Sequence, residues 1–153
     1  MAKHKTTQDL ETGCSYNADM SATFSITVEP ERDLVRIAMA GLFTPEDIRD
    51  FYEARRAAHA KLTCGRNEHL TINDLRNMKI QPQESVAEFQ QMLGAPDYRS
   101  RRLAFVIGRT LARSQLQRAL SGRGAGTRCF DTVAEAEAWL FHGSIAGALR
   151  AAG

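Results

Sequence analysis

No run of apolar residues in this chain approaches the roughly 20 needed to cross a bilayer, so no transmembrane helix is expected. The first twenty residues, MAKHKTTQDLETGCSYNADM, lack the apolar core of a secretory signal. Lys3 and Lys5 there are offset by Asp9, Glu11 and Asp19, and the sequence predicts a flexible polar tail over residues 1–22. Cysteine is sparse: Cys14, Cys64 and Cys129 stand far apart, with no CxxC pair. That argues against a disulfide framework and for unpaired thiols in a reducing cytoplasm, the expected location. The histidines, His4, His59, His69 and His142, are too scattered for a structural zinc site, so neither metal nor cofactor is expected.

Catalytic signatures are missing as well. There is no GxSxG, no HExxH and no acidic pair at a motif spacing. The segment Gly122-Arg123-Gly124-Ala125-Gly126 lacks the GxGxxG and GxxxxGK spacings and follows a predicted helix rather than a strand, which disfavours a phosphate-cradling loop. Without a nucleophile, base and orienting group in sight, a non-enzymatic protein is expected.

One absence is local. From Tyr98 to Phe130 the chain contains no Asp, Glu or Lys, yet it carries eight arginines: Arg99, Arg101, Arg102, Arg109, Arg113, Arg118, Arg123 and Arg128. The formal net charge of +2 therefore hides a basic segment in an otherwise acidic chain. Such a segment either pairs with acidic neighbours, Glu84 and Glu88 being candidates, or meets an acidic ligand or partner. Nucleic acid is disfavoured, because there is no basic tail and the net charge is low for that role.

What is present describes an α/β domain over residues 23–142. A chain of 153 residues fits one domain with a real core. Phe24, Ile26 and Val28 alternate with polar residues, Glu29 to Asp33 form a turn, and Val35, Ile37 and Met39 alternate again. These stretches predict an antiparallel hairpin. Thr44-Pro45-Glu46-Asp47 is a helix start with a cap, a proline at the first helical position and a capping box. Phe43 and Ile48 are placed as a hydrophobic staple. Ile48, Phe51, Tyr52, Ala58 and Leu62 turn inward, Arg49, Arg55 and Arg56 outward, and Gly65 supplies the stop.

A strand follows at Leu70–Leu75, then a helix from Pro82 ended by Gly94 and Pro96. Leu103-Ala104-Phe105-Val106-Ile107 is an unbroken apolar run that suits a strand covered on both faces. Gly108 breaks it, and a helix with Ala112, Leu116, Ala119 and Leu120 on one face comes next. Thr127–Phe130 is the last strand. Asp131 or Thr132 caps the last helix, with Val133, Ala136 and Leu140 inward and Trp139 as a packing anchor. Residues 143–153 read as a helical extension or tail. Strands alternating with helices require parallel pairing, so the expected architecture is a mixed sheet of about five strands with about four helices.

The stretches Gly41-Leu42-Phe43-Thr44-Pro45-Glu46-Asp47, Ile72-Asn73-Asp74-Leu75, Arg102 to Val106 and Phe130 to Leu140 together resemble the SpoIIAA-like proteins of bacteria. These are stand-alone relatives of the STAS domains, which share architecture with Sec14-type (CRAL-TRIO) lipid-binding domains. The resemblance implies a bacterial regulatory or interaction module. Anti-anti-sigma factors of that superfamily carry an Asp-Ser pair after the third strand, and the Ser is phosphorylated. This chain departs from the pattern: Asn73-Asp74-Leu75-Arg76 occupies the region, and Ser85 comes several residues later.

Two functional readings follow. The favoured one is a module that binds an acidic protein partner or self-associates as a homodimer, through Asp74, Arg76, Ser85, Arg109 and Arg113. The alternative is a binder of a small anion, nucleotide or lipid headgroup at the carboxyl ends of the strands, where Asp74, Arg76, Gly108, Arg109 and Thr110 gather and free helix-terminal amides could face the ligand.

Overall fold

The computed structural model describes residues 20–94, 99–120 and 126–152, with backbone alone beyond His142. The expected tail up to Asp19, Pro96 and most of the glycine-rich turn at 122–126 lie outside the described residues. The elements are β1 (Thr23–Glu29), β2 (Leu34–Gly41), α1 (Pro45–His59), β3 (Leu70–Met78), α2 (Gln83–Leu93), β4 (Arg102–Val106), α3 (Leu111–Ala119), β5 (Thr127–Phe130) and α4 (Val133–Ala152).

The five strands pair in sequence order. β1 and β2 are antiparallel, and every later pairing is parallel. This order dictates where the helices go. Each parallel step moves the same way across the sheet, and right-handed crossovers place all their helices on one face. α1, α2 and α3 are those crossovers. α4 follows the last strand, crosses nothing, and covers the opposite face. The core is accordingly two clusters. Val35, Ile37, Phe43, Phe51, Leu103 and Phe105 lie among the residues under the three crossover helices. Leu34, Ile72, Ala104 and Val106 of the sheet pack with Ala136 and Leu140 of α4. The apolar run in β4 is unbroken because its odd-numbered residues serve the first cluster and its even-numbered residues the second.

The turn between β1 and β2 is one 3-10 turn, Pro30–Arg32, closed by Asp33 in the left-handed region at φ 52°. Gly41 ends β2 at φ 89°, and a Cβ there would stand 2.1 Å from the Ser21 carbonyl oxygen. Only glycine lets the segment before β1 lie this close.

α1 begins as its sequence predicts. Thr44 Oγ1 accepts from the Asp47 amide at 3.0 Å, and Asp47 Oδ2 accepts from the Thr44 amide at 3.0 Å. We expect Thr44→Ala to cost about 1 kcal/mol and to lower Tm by about 3 °C in thermal denaturation, with unchanged secondary structure by circular dichroism.

Two local expectations are corrected. α1 ends at His59 with Ala60 as its cap, ahead of the expected stop at Gly65. Arg55 is buried rather than outward. It lies four residues after Phe51 and three before Ala58, so it completes the inward stripe despite its charge.

Candidate functional site

The carboxyl ends of β3 and β4 and the starts of α2 and α3 form two distinct features, a polar rim and an apolar cavity. The rim comes from the turn between β4 and α3. Thr110 caps α3, its Oγ1 accepting from the Arg113 amide at 3.3 Å. Arg113 Nη1 donates to Asp131 Oδ1 at 2.6 Å and to the Ile107 carbonyl at 3.2 Å. Arg109 approaches the other oxygen of the same carboxylate at 3.6 Å while its side chain stays 84% exposed. Of the two residues expected as caps of α4, Thr132 is the one that caps, its Oγ1 accepting from the Glu135 amide at 3.1 Å, while Asp131 bridges two arginines.

This changes the electrostatics of the rim. The guanidinium groups that were to receive an anion already hold one from the chain itself. An incoming anion would have to displace Asp131, so the arginines offer less to a ligand than their number suggests.

The other candidate residues do not join them. Asp74 pairs in register with Ala38 and Val106, the row that faces α4 rather than the crossover helices. Its carboxylate accepts from Arg76 Nε at 2.9 Å and Nη2 at 2.7 Å, a fork-like pair closed within β3. The hydrogen bonds from Arg76 hold the Asp74 carboxyl below its ordinary range. Ser85 is 0% exposed, and its hydroxyl donates to the Phe43 carbonyl. It therefore cannot belong to a contact surface. Its place in the first turn of α2, three residues after the cap Pro82, puts its hydroxyl against the Phe43 carbonyl instead of at the surface. The remaining arginines scatter: Arg101 donates to the Glu68 carbonyl, Arg102 to the carbonyls of Trp139 and Leu140, and Arg128 lies over the rings of Phe130 and Trp139. Glu88 meets Arg49, not the basic segment.

The cavity lies beneath α2 and α3, against the sheet, with a volume of about 80 Å³ and one side open. Phe89 and Met92 of α2, Phe105 and Ile107 from β4 and its end, and Ala112 and Leu116 of α3 are among the residues that wall it. Two glutamines tie the helices together beside it. Gln81 accepts the Phe43 amide at 2.9 Å through its side chain, and that side chain donates to the Gly41 and Lys79 carbonyls. Gln115 in turn accepts from the Gln81 amide and donates to its carbonyl, each at 2.9 Å. All these glutamine polar atoms are consumed by the backbone.

Asn73 is different. It pairs in register with Ile37 and Phe105, so its side chain belongs to the cluster beneath the crossover helices. It is 9% exposed, it lines the cavity, and its Oδ1 has no hydrogen-bond partner. Sequence reading named Asn73 only within a strand. Its parity with Thr71 and Leu75 was the available signal.

Of the two cysteines among the described residues, neither thiol is shifted toward its thiolate. Burial pushes the Cys129 thiol up, and Cys64 is raised first by burial and then by Asp33. Among the described residues no cluster of three His, Cys, Asp or Glu side chains could hold a metal ion, and no helix is long and apolar enough to cross a membrane.

No family model matches this chain, and no curated protein does. Among solved structures it is similar to an uncharacterized protein of the DUF3478 family with a SpoIIAA-like fold from Shewanella loihica PV-4. The match has a TM-score of 0.59 and 15% identity, over 78% of this chain and 95% of that one. At that identity the likeness speaks for architecture alone: the chain has a SpoIIAA-like fold.

Proposed function

We propose that the protein is a non-enzymatic binding module that takes a small, largely apolar molecule between its sheet and helices α2 and α3. The observation that carries this reading is the half-open cavity of about 80 Å³, walled by apolar side chains at the carboxyl ends of the parallel strands. Interiors are normally packed to the density of organic crystals, so a lined void of this kind at the carboxyl ends of the strands offers room for a compact apolar molecule. The site keeps the location expected for a ligand and changes its chemistry, from an anion to an apolar body.

A thermal-shift titration with toluene, phenol and indole tests it. At one hundred times its Kd a bound probe should raise Tm saturably, by about 5 °C or more. Ala112→Phe, which projects a ring into the cavity, should abolish the shift while leaving the protein folded. Flat responses from all three probes would remove this reading.

A second reading is supported by the start of α3, where Arg109 is 84% exposed and its neighbour Leu111 is 72% exposed. An exposed charged group and an exposed large apolar one within three residues suit an acidic protein partner or a second copy of the chain. Flat probe titrations together with a change of oligomeric state in Arg109→Glu would put this reading in place of the first.

A further inference from the structure

The cavity is mostly apolar; Asn73, Gln81, Gln115 and Lys79 are the polar side chains of its lining, and among them Asn73 Oδ1 is buried without a hydrogen-bond partner. We infer that Asn73 is a specificity-determining residue that selects, for the site proposed above, a compact apolar molecule bearing a hydroxyl group. The inference rests on the cavity being a ligand site and adds what the ligand must carry.

Asn73 sits in mid-strand, flanked in register by Ile37 and Phe105, where an aliphatic side chain would continue the row. Its Oδ1 is buried without a partner. A buried acceptor left unpaired is costly, and native structures reserve such positions for groups that meet something else. Water is a poor candidate, because a buried water needs two to four polar partners. The neighbouring glutamine side-chain atoms each have a backbone partner: those of Gln81 on Gly41, Phe43 and Lys79, those of Gln115 on the Gln81 backbone. A hydroxyl carried on an apolar body solves both problems. It donates to Oδ1, and the body takes the contacts that the wall provides. A hydroxyl also accepts, so it satisfies the amide in either orientation about its terminal bond. A carboxylate or phosphate fits badly. Lys79 is the one charged residue of the lining, it is exposed at the open side, and it lies six residues beyond Asn73 along the chain.

Phenol and toluene make the test, since they match in size and differ by hydroxyl against methyl. Transfer out of water by itself favours toluene, so a purely apolar cavity should prefer it. Binding constants from amide chemical-shift titrations of the full chain should show the reverse, with phenol at least fivefold tighter. Asn73→Leu, which keeps the volume and removes the amide, should restore the preference for toluene and leave toluene binding at least as strong. Should Asn73→Leu fail to fold, Asn73→Val serves in its place, and the wild-type ratio alone already decides. Toluene binding as tightly as phenol to the wild type would overturn the selection by Asn73 while leaving the cavity reading intact. Binding of neither probe would overturn both. A preference for phenol that survives Asn73→Leu would assign the hydroxyl to another group and overturn the role of Asn73.

Discussion

Ser85→Asp will unfold the protein rather than imitate a phosphorylated switch. Ser85 is fully enclosed, and its hydroxyl is the donor to the Phe43 carbonyl. The amide of the same Phe43 is held by Gln81 at 2.9 Å, so the two successive peptides that flank the Phe43 Cα, just before α1, are held by Gln81 and by Ser85 in the first turn of α2. A carboxylate at position 85 can no longer donate, and it would face a carbonyl oxygen in a site without water. The positive end of α2 returns about 1 kcal/mol, against a penalty of several kcal/mol for burying an uncompensated charge. We expect a net loss of about 4 kcal/mol or more by urea denaturation, a large part of the stability of a domain this size. Ser85→Ala, which loses only the hydrogen bond, should cost about 1 to 2 kcal/mol. A Ser85→Asp protein within about 1 kcal/mol of wild type would show that the position is not enclosed. The functional consequence is direct. The switch implied by resemblance to anti-anti-sigma factors lacks its Asp-Ser pair here, and the nearest hydroxyl in the next helix holds two elements together.

That outcome also shows where sequence reasoning works and where it stops. The start of α1 is legible because a capping box is local: Thr44, Pro45 and Asp47 supply all its parts within four residues. The sheet is legible because strands alternating with helices leave few topologies, and the apolar run in β4 has no way to exist except between two layers. The site was less legible because its parts are set by strand parity and by distant pairings. Counting arginines finds the basic segment, yet it does not say that Asp131, eighteen residues after Arg113, closes over two of them. Asp74 and Asn73 are neighbours in sequence, but one points toward α4 and the other toward the cavity. In a strand covered on both faces the alternation that would reveal this is gone. Arg55 was assigned to water by its charge, although its spacing from Phe51 and Ala58 already put it inside.

Acidification should destabilise the fold through two histidines at the opposite end of the sheet, well before the carboxylates are protonated. His59, at the end of α1, and His69, just before β3, pack with ring centroids 4.5 Å apart. His69 is 3% exposed, its Nε2 lies 3.2 Å from the Ser100 hydroxyl, and that hydroxyl meets Thr71 Oγ1 at 2.6 Å. Burial lowers the pKa of His59 to about 3, with the Arg55 guanidinium and His69 adding to it. Burial and then Arg55 lower His69 to about 4, against an opposing pull from Asp33. In the folded protein both rings are therefore neutral at pH 5, whereas in the unfolded chain they take up protons near pH 6.5. The unfolded state binds more protons throughout that interval, so stability is complete above about pH 6.5 and falls as pH drops toward 4. Allowing for the partly solvated edge of His59, we expect a loss of about 3 kcal/mol between pH 7 and pH 5 in urea denaturation. The double variant His59→Gln/His69→Gln should flatten that part of the profile. A wild-type loss below about 0.5 kcal/mol over the same range would mean that the pair is protonated in the folded state after all. Because these rings stand at the amino ends of the strands, probe binding in the cavity at the carboxyl ends should keep its Kd across this range in whatever fraction remains folded.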